Sequence, residues 1–95
     1  MKIKESFVTL KNVQPVIAAG DAAIAAGDGD FDFSGVQRGD SSAVACLLHW
    51  KRGCQKAGVP FRVKALPAGI LDLCRLYEVE ELLDPQPQAS GTEAA

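Results

Sequence analysis

Asp30-Phe31-Asp32-Phe33-Ser34, then Gly35-Val36-Gln37-Arg38-Gly39, then Asp40-Ser41-Ser42 is the stretch whose reading decides the fold of this chain. Its first five residues alternate strictly between polar and apolar, the period of a strand, and place Phe31 and Phe33 on one side. After the loop, Asp40, Ser41 and Ser42 form a dense cluster of helix N-cap residue types. The spacing beyond them predicts a helix to about Ala57. Val44, Leu47, Leu48 and Lys51 share one stripe of it; Ala43, Cys46, Trp50 and Cys54 share the next. Gly58 stops it.

Upstream, Ile3, Phe7, Val8 and Leu10 alternate imperfectly and predict one or two short strands. Val13, Val16, Ile17, Gly20 and Ile24 recur at helical spacing, which predicts a first helix from Asn12 to Ala26. Its face, rich in Ala and Gly, suits close packing on a sheet, and Gly27-Asp28-Gly29 ends it. Downstream, Phe61, Val63 and Ala65 alternate with Arg62 and Lys64 in a further strand. Pro67 suits a first helical position, opening a third helix with Ile70, Leu71, Cys74 and Tyr77. Val79, Leu82 and Leu83 are expected to pack back as a short turn. Strands alternating with helices imply an α/β domain: a small sheet with parallel members and helices laid across it. Residues 84–95 have no apolar period and are expected to form a mobile tail after a domain spanning residues 1–83.

Ninety-five residues suit one domain. Ten basic against twelve acidic groups, net −2, make no electrostatic footprint for nucleic acid. The N-terminus lacks the apolar core of a signal peptide, and no stretch approaches the roughly 20 apolar residues of a membrane span, so a cytosolic protein is expected. Cys46 and Cys54 lie eight residues apart on one helix, about 12 Å of rise. A disulfide tolerates a Cα separation of no more than about 7 Å, so free, mostly buried thiols are expected. With no CxxC and one histidine, neither a zinc site nor any other cofactor is indicated.

The start of a helix exposes free N–H groups and a partial positive charge, and Ser41 and Ser42 add hydroxyls that cap those groups or donate to a docked partner. Asp40, Ser41 and His49 supply the residue types of a hydrolase triad. Ser41 and His49 nevertheless stand about 12 Å apart along one helix, far beyond the roughly 3 Å that a nucleophile and its base require. No phosphate-binding G-x-x-x-x-G-K-[ST] occurs. Trp50 is either part of the core or an interface anchor. His49 either is simply solvated or lines the same surface, and Lys51, Arg52 and Lys56 make a solvated basic face.

Phe31-Asp32-Phe33-Ser34-Gly35-Val36, followed by Gly39-Asp40-Ser41-Ser42-Ala43, resembles the STAS family, which includes the anti-anti-sigma factors and the MlaB subunits of phospholipid transporters. The likeness continues through Ala45-Cys46-Leu47-Leu48-His49-Trp50. It ends with Leu66-Pro67-Ala68-Gly69-Ile70 and Leu73-Cys74-Arg75-Leu76-Tyr77-Glu78-Val79, whose wording is MlaB-like. It covers residues 6–83, and the N-terminus is short by one strand relative to longer members. The resemblance implies a non-catalytic cytoplasmic domain that docks on a protein partner through Asp40, Ser41, Ser42, Ala43, Cys46, His49 and Trp50. For an MlaB-like member that partner is the MlaF-like ATPase subunit of a lipid ABC transporter, at the inner face of the bacterial inner membrane, with Ser41 facing it. For an anti-anti-sigma factor it is a kinase-like anti-sigma factor, with Ser42 as the phosphorylated residue. A sensor holding a small ligand is a third class. Two positions depart from the family pattern: Ala43 replaces a glycine, and Gly39 replaces an apolar residue, which is expected to loosen the loop presenting Asp40 and Ser41.

Overall fold

The computed structural model describes residues 1–88. Its elements run β1 (Phe7–Val8), α1 (Val13–Ala25), β2 (Asp30–Asp32), β3 (Arg38–Gly39), α2 (Ser41–Ala57), β4 (Arg62–Lys64), α3 (Ala68–Leu76) and α4 (Glu80–Leu83). β2 pairs parallel with β4, Phe31 opposite Val63, and β1 pairs parallel with β3, Val8 opposite Gly39. The N-terminal residues run along the other edge of β2. There the Asp32 N–H donates to Met1 O (3.0 Å) and the Ile3 N–H to Asp32 O (2.9 Å). The chain is thus an α/β domain with short parallel strands in two small sheets.

Alternation along the strands sorts the two faces. Phe31, Phe33 and Val63 are buried beneath the helices, whereas Asp30, Arg62 and Lys64 are exposed. The register sets Asp30 beside Arg62 and Asp32 beside Lys64 on that outer face, an arrangement of opposite charges that suits an open sheet surface.

Trp50 lies at the centre of the core, fully buried. It stacks on Phe31 with ring centroids 4.2 Å apart and planes 8° from parallel, meets Phe33 edge-on at 6.5 Å, and donates its indole N–H to Ile17 O at 3.3 Å. The alternative of an exposed interface anchor is therefore closed. The small face of α1 packs against α2 at this point: a Cβ on Gly20 would lie 2.1 Å from Trp50 Cε2. Close approach was foreseen, but its partner is a helix carrying a tryptophan and not the sheet.

Two segments depart from the sequence reading. Arg38–Gly39, read as loop, forms β3. Residues 84–88, read as the start of a mobile tail, lie along the free edge of β4. The Gln86 N–H donates to Val63 O (2.9 Å), the Leu66 N–H to Gln86 O (2.8 Å) and the Gln88 N–H to Leu66 O (3.0 Å). Ala65, at φ 59°, breaks the alternation after Lys64 and so turns Leu66 toward this segment. The Gln88 side chain ties it down by donating to Phe33 O (3.1 Å) and Val36 O (2.8 Å). Pro85 and Pro87 are compatible with an edge because an edge strand can leave positions unbonded on its outer side. The rest of the expected tail, residues 89–95, lies outside the described residues.

Candidate functional site

Asp40 is the N-cap of α2, and its carboxylate joins two segments. Oδ1 accepts from the Ser42 N–H at 2.8 Å, as a capping side chain does. Oδ2 accepts from the Leu10 N–H at 3.1 Å, in the loop between β1 and α1. The backbone of Asp40 is held as well: its N–H donates to Val8 O at 3.2 Å. The Leu10 N–H, and after it that of Ser42, hold the carboxyl below its ordinary value near 3.8, because both bonds favour the charged form. Asp40 is thus ionised at neutral pH, with both oxygens occupied.

Around this anchor Ser41 is exposed and Ser42 half-buried. Leu10, read from the sequence as part of a strand, instead stands 77% exposed on a turn closed by the Asn12 N–H to Thr9 O bond (3.0 Å). With Phe7, Thr9, Lys11, Arg38 and Asp40 it lines a shallow depression of about 500 Å³. The spot therefore offers a protruding apolar side chain, the hydroxyl of exposed Ser41, and cations from Lys11 and Arg38. Sequence reasoning missed Leu10, Lys11 and Arg38; the one usable signal was that the alternation Val8-Leu10 fails at Lys11-Asn12, where the chain must turn.

The seven expected contact residues do not form one surface. Asp40, Ser41 and Ser42 gather at the start of α2. Ala43, Cys46 and Trp50 are 0%, 1% and 0% exposed and belong to the core, so they present nothing to a partner. Positions 43, 46, 50 and 54 recur every three to four residues and form the inward stripe of α2, which leaves Ser41, Ala45, His49 and Arg52 outward. His49 lies two turns from Ser41 and faces α1, its Nε2 2.9 Å from Asp21 Oδ1 and 3.1 Å from Oδ2. It belongs to a separate groove between α1 and α2.

The departure at Gly39 does not loosen the loop. A Cβ there would meet Val8 O at 2.7 Å, Ile70 Cδ1 at 2.8 Å and Ala43 Cβ at 3.1 Å. The two departures are therefore linked: the missing side chain at Gly39 makes room for the methyl of Ala43, and β3 seats tightly against α2 and α3.

Among the described residues no imidazole stands beside Ser41: the one histidine is on the same helix, about 12 Å away. Burial, with a smaller contribution from the charge of Asp21, pushes the Cys46 thiol up to about 12, so it is no nucleophile. Among the described residues no group of three His, Cys, Asp or Glu side chains is placed to hold a metal ion, and no helix is long and apolar enough to cross a membrane.

A family model described as "Mlab, STAS domain" matches residues 6–84. No curated protein and no solved structure matches the chain.

Proposed function

The chain belongs to the MlaB-type STAS family, and from that premise we propose that it works by docking, without catalysing a reaction, on the ATPase subunit of an Mla-type lipid (phospholipid) ABC transporter. In this reading it stabilises or regulates that ATPase and is held through it at the inner face of the bacterial inner membrane. The observation that carries the reading is the spot at the start of α2. Asp40 locks the β1–α1 loop to the helix, so that exposed Leu10 and Ser41 are presented on a prearranged backbone. Little ordering remains to be done on binding, which favours affinity for a small contact. The contact residues are Asp40, Ser41 and Ser42, joined by Leu10, Lys11 and Arg38; His49, in the separate groove between α1 and α2, is left out.

The test is a pull-down of tagged wild type beside Ser41→Glu, Ser42→Glu and Leu10→Ser, with partners identified by mass spectrometry. Recovery of an ABC ATPase with its permease, reduced at least about tenfold (some 1.4 kcal/mol) by each substitution, is the expected result. Recovery of a kinase-like anti-sigma factor would transfer the chain to the anti-anti-sigma role. There a phosphate on Ser42, bringing about −1.5 to −2 charges beside the Asp40 carboxylate, would expel the partner.

A further inference from the structure

Three large apolar side chains stand exposed within seven residues at the α3–α4 junction: Leu76 at 70%, Tyr77 at 48% and Leu82 at 56%. The segment carrying them is acidic. Residues 65–88 contain five carboxylates against Arg75 alone, whereas residues 1–64 contain nine basic side chains against six acidic ones. Arg75 is already engaged, by Glu80 at 3.2 Å and Asp72 at 3.7 Å. Glu78, Glu81 and Asp84 have no ion-pair partner among the described residues.

The complementary surface is on the same chain. Between α1 and α2 runs a groove of about 350 Å³ with Ile24 and Ala25 in its lining and Arg52 and Lys56 along its α2 side, one turn apart. Asp21, the carboxylate that lines it, is engaged by His49, and Arg52 and Lys56 have no ion pair among the described residues. α2 packs against α1 on one side and against α3 and α4 elsewhere, whereas α1 makes no comparable packing contact with α3 or α4, so the basic groove and the acidic hairpin lie apart.

We propose that a second copy of this chain docks its acidic, apolar α3–α4 hairpin in the basic groove between α1 and α2. The contact places Leu76, Tyr77 and Leu82 over the apolar lining and sets Glu78 and Glu81 against Arg52 and Lys56. Because the two surfaces differ and lie apart, the contact is heterologous: copies add head to tail, and association runs past the dimer into an open chain or, where the rotation between copies closes, a ring. Exposed ion pairs are individually weak and are screened by salt, so it operates at high local concentration and low ionic strength. It uses none of Leu10, Asp40 or Ser41 and stands independently of the partner docking proposed above.

Sedimentation equilibrium of the full chain tests this, from about 10 μM to about 1 mM protein and at about 20 mM and 500 mM salt, ranges that bracket a weak, screened association. The expected result is a weight-average mass that climbs past the dimer at low salt, with association at least about tenfold weaker at high salt. R52E/K56E and E78K/E81K each remain monomeric alone, and an equimolar mixture associates again, because each then offers the surface that the other lacks. A wild type that stays monomeric throughout, a mass that stops at a salt-insensitive dimer, or a mixture that fails to associate would each overturn the proposal.

Discussion

Gly20→Ala sets two well-measured effects against each other. Gly20 sits mid-way along α1, where alanine is preferred over glycine by about 0.8–1 kcal/mol, and propensity alone makes the substitution stabilising. The structure gives the opposite sign. A Cβ at position 20 would lie 2.1 Å from Trp50 Cε2 and 2.3 Å from both Cζ2 and Nε1, against an ordinary carbon–carbon separation of about 3.5–4.0 Å. The indole has no free direction in which to yield, since Phe31 is stacked on it, Phe33 meets it edge-on, and its N–H is bonded to Ile17 O. Relief therefore requires α1 to lift off α2, and overpacking of this kind costs about 1–3 kcal/mol, more where several atoms clash at once. Taking the upper part of that range, the net is a loss of about 1–2 kcal/mol after the gain in propensity, or about 5–15 °C in Tm for a domain of this size. Urea unfolding followed by Trp50 fluorescence measures it. Gly53→Ala, also inside a helix, is the control: its nearest neighbour outside its own helix is Ile24 Cδ1 at 3.5 Å, ordinary contact, and it gains about 0.5–1 kcal/mol. If Gly20→Ala were as stable as Gly53→Ala, with an unchanged denaturant slope, the close approach of α1 to Trp50 would be refuted.

Asp40→Ala removes the α2 cap and the tie to Leu10, and is expected to cost about 1 kcal/mol while speeding proteolysis in the loop at residues 9–12. Its effect depends on pH. The folded-state pKa of Asp40 is lowered, so its contribution is present above the ordinary value near 3.8 and is lost as pH falls through the lower folded value. Denaturation midpoints of wild type and Asp40→Asn, measured from neutral pH down to acid, should differ at and above the ordinary value and converge only below it; a difference that persists unchanged through the acid window would refute the assignment. Ending the chain at Asp84 strips the edge of β4 of three backbone bonds and two from Gln88. At about 0.5–1.5 kcal/mol for each of these five bonds, a loss of about 2.5–7.5 kcal/mol is expected in urea unfolding, and an unchanged midpoint would show that the segment does not hold the edge. Cys46, Cys54 and Cys74 are buried, and burial raises all three thiols. Labelling with a thiol reagent at neutral pH should therefore follow global unfolding, and rapid labelling of the native protein would contradict this packing.

The parts of the fold legible in the sequence are those whose signal repeats along the chain. Phe31 and Phe33 carried the strand alternation, and the three-to-four spacing from Ala43 to Cys54 carried α2, so β2, α2 and the N-cap at Asp40 were readable. Segments 84–88 and Arg38–Gly39 were not, because they pair through backbone N–H and C=O groups that every residue but proline possesses. The same limit governs the site. Asp40 and its two serines could be found from cap chemistry, but the Leu10 N–H lies 30 residues away and nothing local announces that it ends at Asp40 Oδ2. Ala43, Cys46 and Trp50 were assigned to the contact surface from resemblance alone, whereas their stripe on α2 marks them as core. Reading that stripe consistently would have separated them from Ser41 and His49.

The exchange of sizes at positions 39 and 43 explains why this variant of the family pattern leaves the start of α2 firm. In the pattern a side chain precedes the aspartate and a glycine follows the hydroxyl pair; here Gly39 precedes and Ala43 follows. Three elements meet at this point, and a Cβ on Gly39 would strike the backbone of β1, the Ile70 side chain on α3 and Ala43 on α2. Space for one small group exists on the α2 side, and Ala43, in the first turn of that helix, takes it. With β3 seated this closely, the Asp40 N–H reaches Val8 O and its carboxylate reaches both Leu10 and Ser42. The conformation of the exposed spot is thus a consequence of buried packing one residue before it and one after its serines, so on the proposed function buried substitutions that never touch a partner weaken the docking.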